Sequence, residues 1–276
     1  MSEGISLAGR TCVITGAGSG IGRALAERLS KQGCPVAICD WNEDGLQETA
    51  NGLDGEVFAH KVDVRDNTAV RAFAAEAVKW APAPFGAVFN NAGVTVSQLA
   101  AEAATEDDEW VLDVNFHGVV NGTRAWLPVL LEQGDGAIVN TSSIFGLIGW
   151  PAQSMYCASK HAVRGYTESL RHELRDSKVM AIPVHPGGIK TNIVRNARFH
   201  KDDLGRTDRS ELEKEFDAIT LTTPHKAAKI IQNGVENGKA RILIGPDANA
   251  LSILLRISPT RYFDVIKKLE KFQRKT

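Results

Sequence analysis

TCVITGAGSGIG, residues 11–22, decides how the rest of the chain is read. Its first five residues, Thr11 to Thr15, form a short apolar run of the kind that makes a strand buried on both faces. Gly16, Gly18, Gly20 and Gly22 follow at once. Glycine lets the chain turn sharply and lets its backbone come close to a ligand. A helix-period pattern then runs from Ile21 to Lys31, so the turn feeds a helix N-terminus. Such an end offers unpaired N–H groups and a positive dipole end to a pyrophosphate. The spacing is G-x-x-x-G-x-G, which differs from the usual G-x-G-x-x-G. Its place between a strand and a helix favours a phosphate cradle over a plain turn.

The same alternation continues outward. Residues 35–40, 56–64, 86–90, 136–143, 179–186 and 240–245 read as six further strands. Helical patterns fill 43–51, 68–80, 107–131 and 154–177. Strands alternating with helices imply βαβ units and a mainly parallel sheet covered on both faces. The expectation is an α/β, doubly wound, seven-stranded Rossmann sheet in one domain over 1–276, with its core at 7–245. Two stretches break the rhythm. Residues 192–222 are highly charged and predict a helical substrate lid over the carboxyl edge of the sheet, where open α/β sheets bind ligands. The extension 247–276 predicts a helix with Tyr262, Phe263, Val265, Ile266, Leu269 and Phe272 on one face. Lys267, Lys268, Lys271, Arg274 and Lys275 make the rest of it basic. That helix packs on its own domain or a sister subunit, or it lies on a membrane surface.

Composition narrows the classes. The chain has 276 residues, 43% hydrophobic and 24% charged, which supports a sizeable core rather than wholesale disorder. A net charge of −1 provides no field for nucleic acid. Cys12, Cys34, Cys39 and Cys157 are scattered, fitting neither a zinc site nor a disulfide framework. They read as small apolar fillers in a reducing cytoplasm. The first residues show no basic region followed by an apolar one, so no secretory signal is expected. No apolar run reaches the length needed to span a bilayer.

Asp40 closes the second strand. A carboxylate there accepts hydrogen bonds from an adenosine ribose and repels a 2′-phosphate. Trp41 follows it, and Ser19 adds no cation to the loop, so NAD is favoured over NADP. Further on, Tyr156 and Lys160 stand at i and i+4 in SMYCASKH and share a helix face. A nearby ammonium favours the phenolate, so the tyrosine is expected to titrate below its usual value of about 10. A catalyst works best with a pKa near the working pH.

Together these features resemble the short-chain dehydrogenase/reductase family over about 7–245. The motifs TGAGSGIG (15–22), Asp63-Val64, NNAG (90–93), Asn115 within VLDVNFHG, and YCASK (156–160) occur in the family's order. Ser143 precedes Tyr156 at the spacing of the family's serine, and PGGIKT (186–191) matches the segment after the sixth strand. The resemblance implies that Tyr156 is the general acid or base and that Lys160 holds the nicotinamide ribose and lowers the tyrosine pKa. Ser143 would orient the reacting oxygen, and Asn115 would hold a water that relays protons to Lys160. It implies NAD contacts from Gly16, Ser19, Gly20, Ile21, Gly22, Asp40, Asp63, Val64, Asn90, Ala92, Gly93, Pro186, Gly187, Ile189 and Thr191. It also implies a homotetramer or homodimer built through the two long helices.

The expected activity is hydride transfer between NAD(H) and a secondary alcohol or ketone, with no metal. The segment IFGLIGWP (144–151), with Val94 and Val96, is apolar. It points to a hydrophobic carbinol, steroid-like, fatty or aromatic. Phe145, Trp150 and Gln153, with Ser143 and Tyr156, are the expected substrate contacts. Two other readings stay open. One is a catalytically idle NAD-binding sensor or scaffold, since fold does not fix function. The other is an enzyme held at a membrane surface that acts on lipid alcohols.

Overall fold

The structure, a computed structural model, describes residues 3–202, 204–220 and 222–273. The side chains of Leu269, Lys271 and Phe272, and all of Arg274 and Lys275, lie outside what it describes. The first half runs β1 (Thr11–Thr15), α1 (Gly20–Ser30), β2 (Val36–Asp40), α2 (Glu43–Asn51), β3 (Val57–Lys61), α3 (Asn67–Trp80) and β4 (Phe85–Asn90). Then follow β5 (Val96–Ser97), α4 (Thr105–Leu112), α5 (Gly118–Gln133), β6 (Asp135–Thr141), α6 (Ser154–Glu173) and β7 (Lys178–Pro186). The chain continues with β8 (Arg198–Phe199), α7 (Arg209–Ile219), α8 (Pro224–Glu236), β9 (Ile242–Ile244), α9 (Pro246–Ile257) and α10 (Tyr262–Gln273).

Seven strands form one parallel sheet in the order β3-β2-β1-β4-β6-β7-β9. Successive strand side chains point to opposite faces, and the core divides accordingly. Cys12, Ile14, Phe89, Val139 and Ile182 meet Leu25, Leu29, Ile231 and Val235 of α1 and α8. Val13, Val88, Ile138 and Ala181 meet Phe73, Trp126 and Leu170 of α3, α5 and α6. Both faces are covered, which is why the strand sequences are apolar throughout rather than alternating. The order reverses between β1 and β4, so the chain ends there splay apart and leave a crevice at their carboxyl ends.

Two features depart from the sequence expectation. The helix expected over 107–131 is α4 and α5 joined by a π-type turn, Asp113–His117. The expected lid, 192–222, is only partly helical. Its first part runs irregularly into β8, which pairs in parallel with β5 as a second small sheet; α7 follows. Asp107 anchors this segment, accepting from Arg198 at 2.6 Å and pairing with His200 at 2.6 Å. Among the described residues no helix is long and apolar enough to cross a membrane. All four cysteines are free and buried.

Candidate active site

The glycine turn leaves β1 with Gly16 at φ +68°, a conformation that favours glycine. A Cβ at Gly16 would sit 2.7 Å from Ala92 Cα, so the loops after β1 and β4 are in direct contact. Thr15 fastens them, its hydroxyl accepting the Asn91 and Ala92 N–H groups at 3.0 and 3.1 Å. Helices α2, α3, α7 and α8 each begin with a side chain that caps the first turn, whereas Ser19 makes no such bond at α1. The first-turn N–H groups of α1 therefore have no side-chain acceptor. That donor set suits an anion. Gly20 faces the Thr191 side chain across the mouth of the turn, and a cleft lined by Gly20, Lys190, Thr191 and Asn192 opens there.

At the end of β2, Asp40 Oδ2 accepts the Gly18 N–H at 2.8 Å and Oδ1 accepts the Asn42 N–H at 2.9 Å. Each oxygen keeps a further lone pair for a diol. Arg23, which the sequence reading overlooked, donates to the Gly18 carbonyl at 2.7 Å and to Glu48 at 2.8 Å. A cation thus stands beside the loop after all, but its charge is already matched by Glu48. With uncapped helix N–H groups, a carboxylate at the strand end and a matched cation, the residues present fit a dinucleotide.

The geometry changes the expected role of one side chain, that of Asn90, and gives Asp63 a protein partner. Asn90 has the strand parity of Val88, so its side chain lies inside the sheet against α5 and α6. It is buried and donates to Asn140 at 2.8 Å and to Thr123 at 3.3 Å; its amide is a core link and does not face a ligand. The Asp63 carboxylate grips Arg65 through contacts of 2.6 to 3.0 Å. Arg65 holds that carboxyl below its usual range. Its neighbour Val64 is buried.

The reacting cluster forms where α6, the π-type turn and the loops after β4 and β6 converge. Asn115 is fully buried. Its Oδ1 accepts the Val94 N–H at 2.8 Å, and its Nδ2 donates to the Val94 carbonyl at 2.9 Å and to Ser159 at 3.1 Å. Both amide hydrogens are thereby spent on protein partners, so a water held by this side chain would have to donate to the second lone pair of Oδ1. A Cβ on Gly93 would lie 3.2 Å from both Asn115 Oδ1 and Lys160 Nζ, a tight contact from which one of the two side chains would have to shift. Lys160 is buried and donates to the Thr141 carbonyl at 3.0 Å. Its ammonium lies 5.7 Å from the centre of the Tyr156 ring.

The electrostatics reverse the expected direction for Tyr156. Burial pushes the phenol up to about 12, against the pull of hydrogen bonding with Ser143. Burial also brings Lys160 down to about 8. At neutral pH the pair is a protonated phenol beside a charged lysine. Desolvation of the buried phenol sets the direction, and the Lys160 ammonium, engaged by the Thr141 carbonyl, does not offset it.

Ser143 Oγ accepts the Phe145 N–H at 3.1 Å, and its carbonyl oxygen meets His185 Nδ1 at 3.0 Å. A carbonyl only accepts, so that nitrogen carries the proton. His185 is fully buried and its Nε2 has no partner. Burial draws its pKa down to about 4, so the ring is neutral. Asp247, from the first turn of α9, accepts the Gly188 N–H at 2.7 Å, and Gly187 donates to Ile244 at 2.9 Å. These bonds hold the segment after Pro186. Ile189 is buried there and bridges to Thr222. Neither His185 nor Asp247 was singled out from the sequence. A lone histidine inside an apolar strand was a visible signal; Asp247 offered none.

Around Tyr156 the surface is apolar: Val94, Val96, Trp110, Val111, Phe145, Met155 and Ile193 pack together with it. Ile193 brings the 192–222 segment into this wall. Trp150 stacks on Phe145, and the Gln153 side-chain Oε1 accepts the Thr95 hydroxyl at 2.8 Å.

Comparison with known proteins decides the lineage. The family model described as short chain dehydrogenase matches residues 10–202. The chain belongs to that family. It is 44% identical over 266 residues to SadH of Mycobacterium tuberculosis, covering 93% of this chain and 94% of that protein. It is 37% identical over 203 residues to a cyclohexanol dehydrogenase of an Acinetobacter species, covering 71% and 78%. A short-chain dehydrogenase/reductase from Burkholderia phymatum, solved in complex with NAD, superposes with TM-score 0.79 at 30% identity, covering 95% and 96%. This short-chain dehydrogenase is thus an oxidoreductase by lineage, and its sheet is the family's sheet.

Proposed function

We propose that the protein moves a hydride between NAD(H) and a secondary alcohol or ketone with apolar substituents. The observation that carries this reading is a protonated, buried Tyr156 beside Ser143 and Lys160, enclosed by an apolar wall. NAD, when bound, supplies the hydride donor and acceptor. The chain supplies orientation and the proton. Ser143 Oγ and Tyr156 Oη hold the substrate oxygen between two donors. In ketone reduction the phenol gives its proton to that oxygen, and in alcohol oxidation the same oxygen takes it back. Lys160, charged at neutral pH, stabilises the tyrosinate formed in the reducing direction. Asn115 keeps the loop after β4 and α6 in register through Val94 and Ser159.

Asp40, with Arg23 matched by Glu48, supports NAD over NADP, as does the NAD complex of the Burkholderia relative. The cyclohexanol dehydrogenase relative supports an alicyclic alcohol as the substrate type. The loop segments Gly16–Gly22 and 186–191, with Ala92, Gly93 and Val64, would line the cofactor. Phe145 and Trp150 would line the substrate, and residues 192–222 would close over it as a lid.

The test is NADH appearance from NAD and cyclohexanol, with NADP alongside. Tyr156→Phe should lower kcat by about a hundredfold or more, the usual scale of a positioned acid–base group, while NAD binding by calorimetry stays near the wild-type value. Wild-type turnover in that variant would remove Tyr156 from the reaction. Absence of turnover in the wild-type protein across secondary alcohols, with NAD still bound, would favour the sensor reading.

A further inference from the structure

Helix α10 reaches back to the 144–151 segment, whose Phe145 packs on Tyr156. Tyr262 Oη accepts the Gly149 N–H at 2.8 Å and donates to the Gly149 carbonyl at 3.4 Å. Phe263 sets against Trp150, with ring centres 5.6 Å apart and planes at 73°. The Lys267 ammonium lies 5.2 Å from the centre of the same indole. Trp150 stacks on Phe145 at 5.9 Å with planes 10° apart. Phe145 in turn presents its edge to Tyr156 at 6.0 Å and 83°. A continuous series of ring contacts therefore links the C-terminal helix to the reacting tyrosine.

We propose that α10 is the outer wall of the substrate opening, and that Tyr262 and Phe263 select substrates by fixing Trp150 against Phe145. The proposal rests on the alcohol–ketone reading above and assigns its specificity. The 144–151 segment is a short turn with an exposed glycine at its tip, and loops of this kind are mobile unless something holds them. Here the holding groups come from α10. One ties the backbone at Gly149, and two cover the indole at Trp150. Edge-to-face and stacked rings have defined geometries, so losing one partner changes the position of the next. In this wall the Tyr262 hydroxyl is spent on Gly149 and the Lys267 ammonium lies over the Trp150 and Phe263 rings. The rings and aliphatic side chains suit the ring or branched alkyl group of a carbinol.

The experiment compares the full-length wild-type protein with Phe263→Ala and Tyr262→Phe. Each is assayed with NAD and two alcohols, cyclohexanol and 4-tert-butylcyclohexanol. Phe263→Ala should raise the ratio of kcat/KM for the bulky alcohol over the small one by about tenfold, the scale on which apolar pockets weigh one or two carbons. Tyr262→Phe should move the ratio in the same direction by a smaller factor. A second readout is independent of turnover. With 5-fluorotryptophan incorporated, the Trp150 fluorine line, assigned by its loss in Trp150→Phe, should shift when cyclohexanone is added with NADH. That shift should be lost or altered in Phe263→Ala. If the wild type turns over no alcohol but the line shifts in this Phe263-dependent way, the wall stands and the reaction reading falls. If the ratio is unchanged in both variants, or if neither turnover nor a Phe263-dependent shift is seen, the proposal is overturned.

Discussion

Behind Ser143, the imidazole of His185 does a job that no motif announces. Its Nδ1–H holds the Ser143 carbonyl, while its Nε2 faces no partner. Asparagine carries an amide N–H at a similar reach, whereas leucine carries none. His185→Asn should therefore keep kcat within about threefold, and His185→Leu should lower it about tenfold with little change in KM, as misplacement of a reacting group does. Steady-state kinetics on the two variants separates positioning from mere packing. The ring also makes stability depend on pH. Its pKa is about 4 when folded and about 6.5 when unfolded. Between those values the unfolded chain binds the extra proton, so stability rises with pH. The contribution is fully present above about pH 6.5 and is lost as pH falls toward 4. Urea titrations should show wild type losing on the order of 2–3 kcal/mol more than His185→Asn over that range. Legibility at this scale was uneven. Asp40 sits at the strand end, and two backbone N–H groups converge on its carboxylate, as a phosphate-loop partner requires. The side chain of Asn90 was not legible because NNAG names a strand end without saying which face its first residue takes; the parity of Val88 decides that.

The π-type turn at Asp113–His117 is the element that places Asn115. A π-type turn widens the helix by one residue, and here it lets a fully buried amide satisfy both the N–H and the C=O of Val94. Asn115→Ala would strip two half-buried backbone groups of their partners at once. A fully buried loss costs about 1–3 kcal/mol and these sit at the lower end, so a thermal or urea unfolding series should show destabilisation of about 2 kcal/mol, with activity falling as α6 and the loop after β4 separate. The long helices were readable from their apolar period, but the turn was not, since one inserted residue barely disturbs that period. The pairing of β5 with β8 was unreadable for a different reason. Two residues on each side carry no pattern, and their partnership joins segments about a hundred residues apart. The charges of 192–222 were legible as an exposed segment, yet their partners, such as Asp107 for Arg198, lie in α4 and appear only when the chain is folded. The tail reads as an amphipathic helix lying on its own domain, on a sister subunit or on a membrane surface; its first turns meet Gly149 and Trp150 of its own domain.

For the molecule as a whole, stability resides in two helix layers pressed on one sheet. Trp126 is the largest side chain fully enclosed in either layer, and it touches Phe73 and Phe85 from the neighbouring elements. Trp126→Ala should cost about 3–5 kcal/mol, read as a lower urea midpoint with the far-ultraviolet spectrum of the folded state retained. The strand order bears also on how such a chain is born. From β1 the sheet extends first through β2 and β3 on one side. It then extends through β4, β6, β7 and β9 on the other, each strand later in the sequence than the one it joins. No strand has to be inserted between two that are already paired. A nascent chain, emerging N-terminus first, meets an open edge for every new strand as it leaves the ribosome. The far edge closes only with β9, and α10 arrives after it. The α10 rings that cover Trp150 therefore dock only after the sheet's far edge has closed.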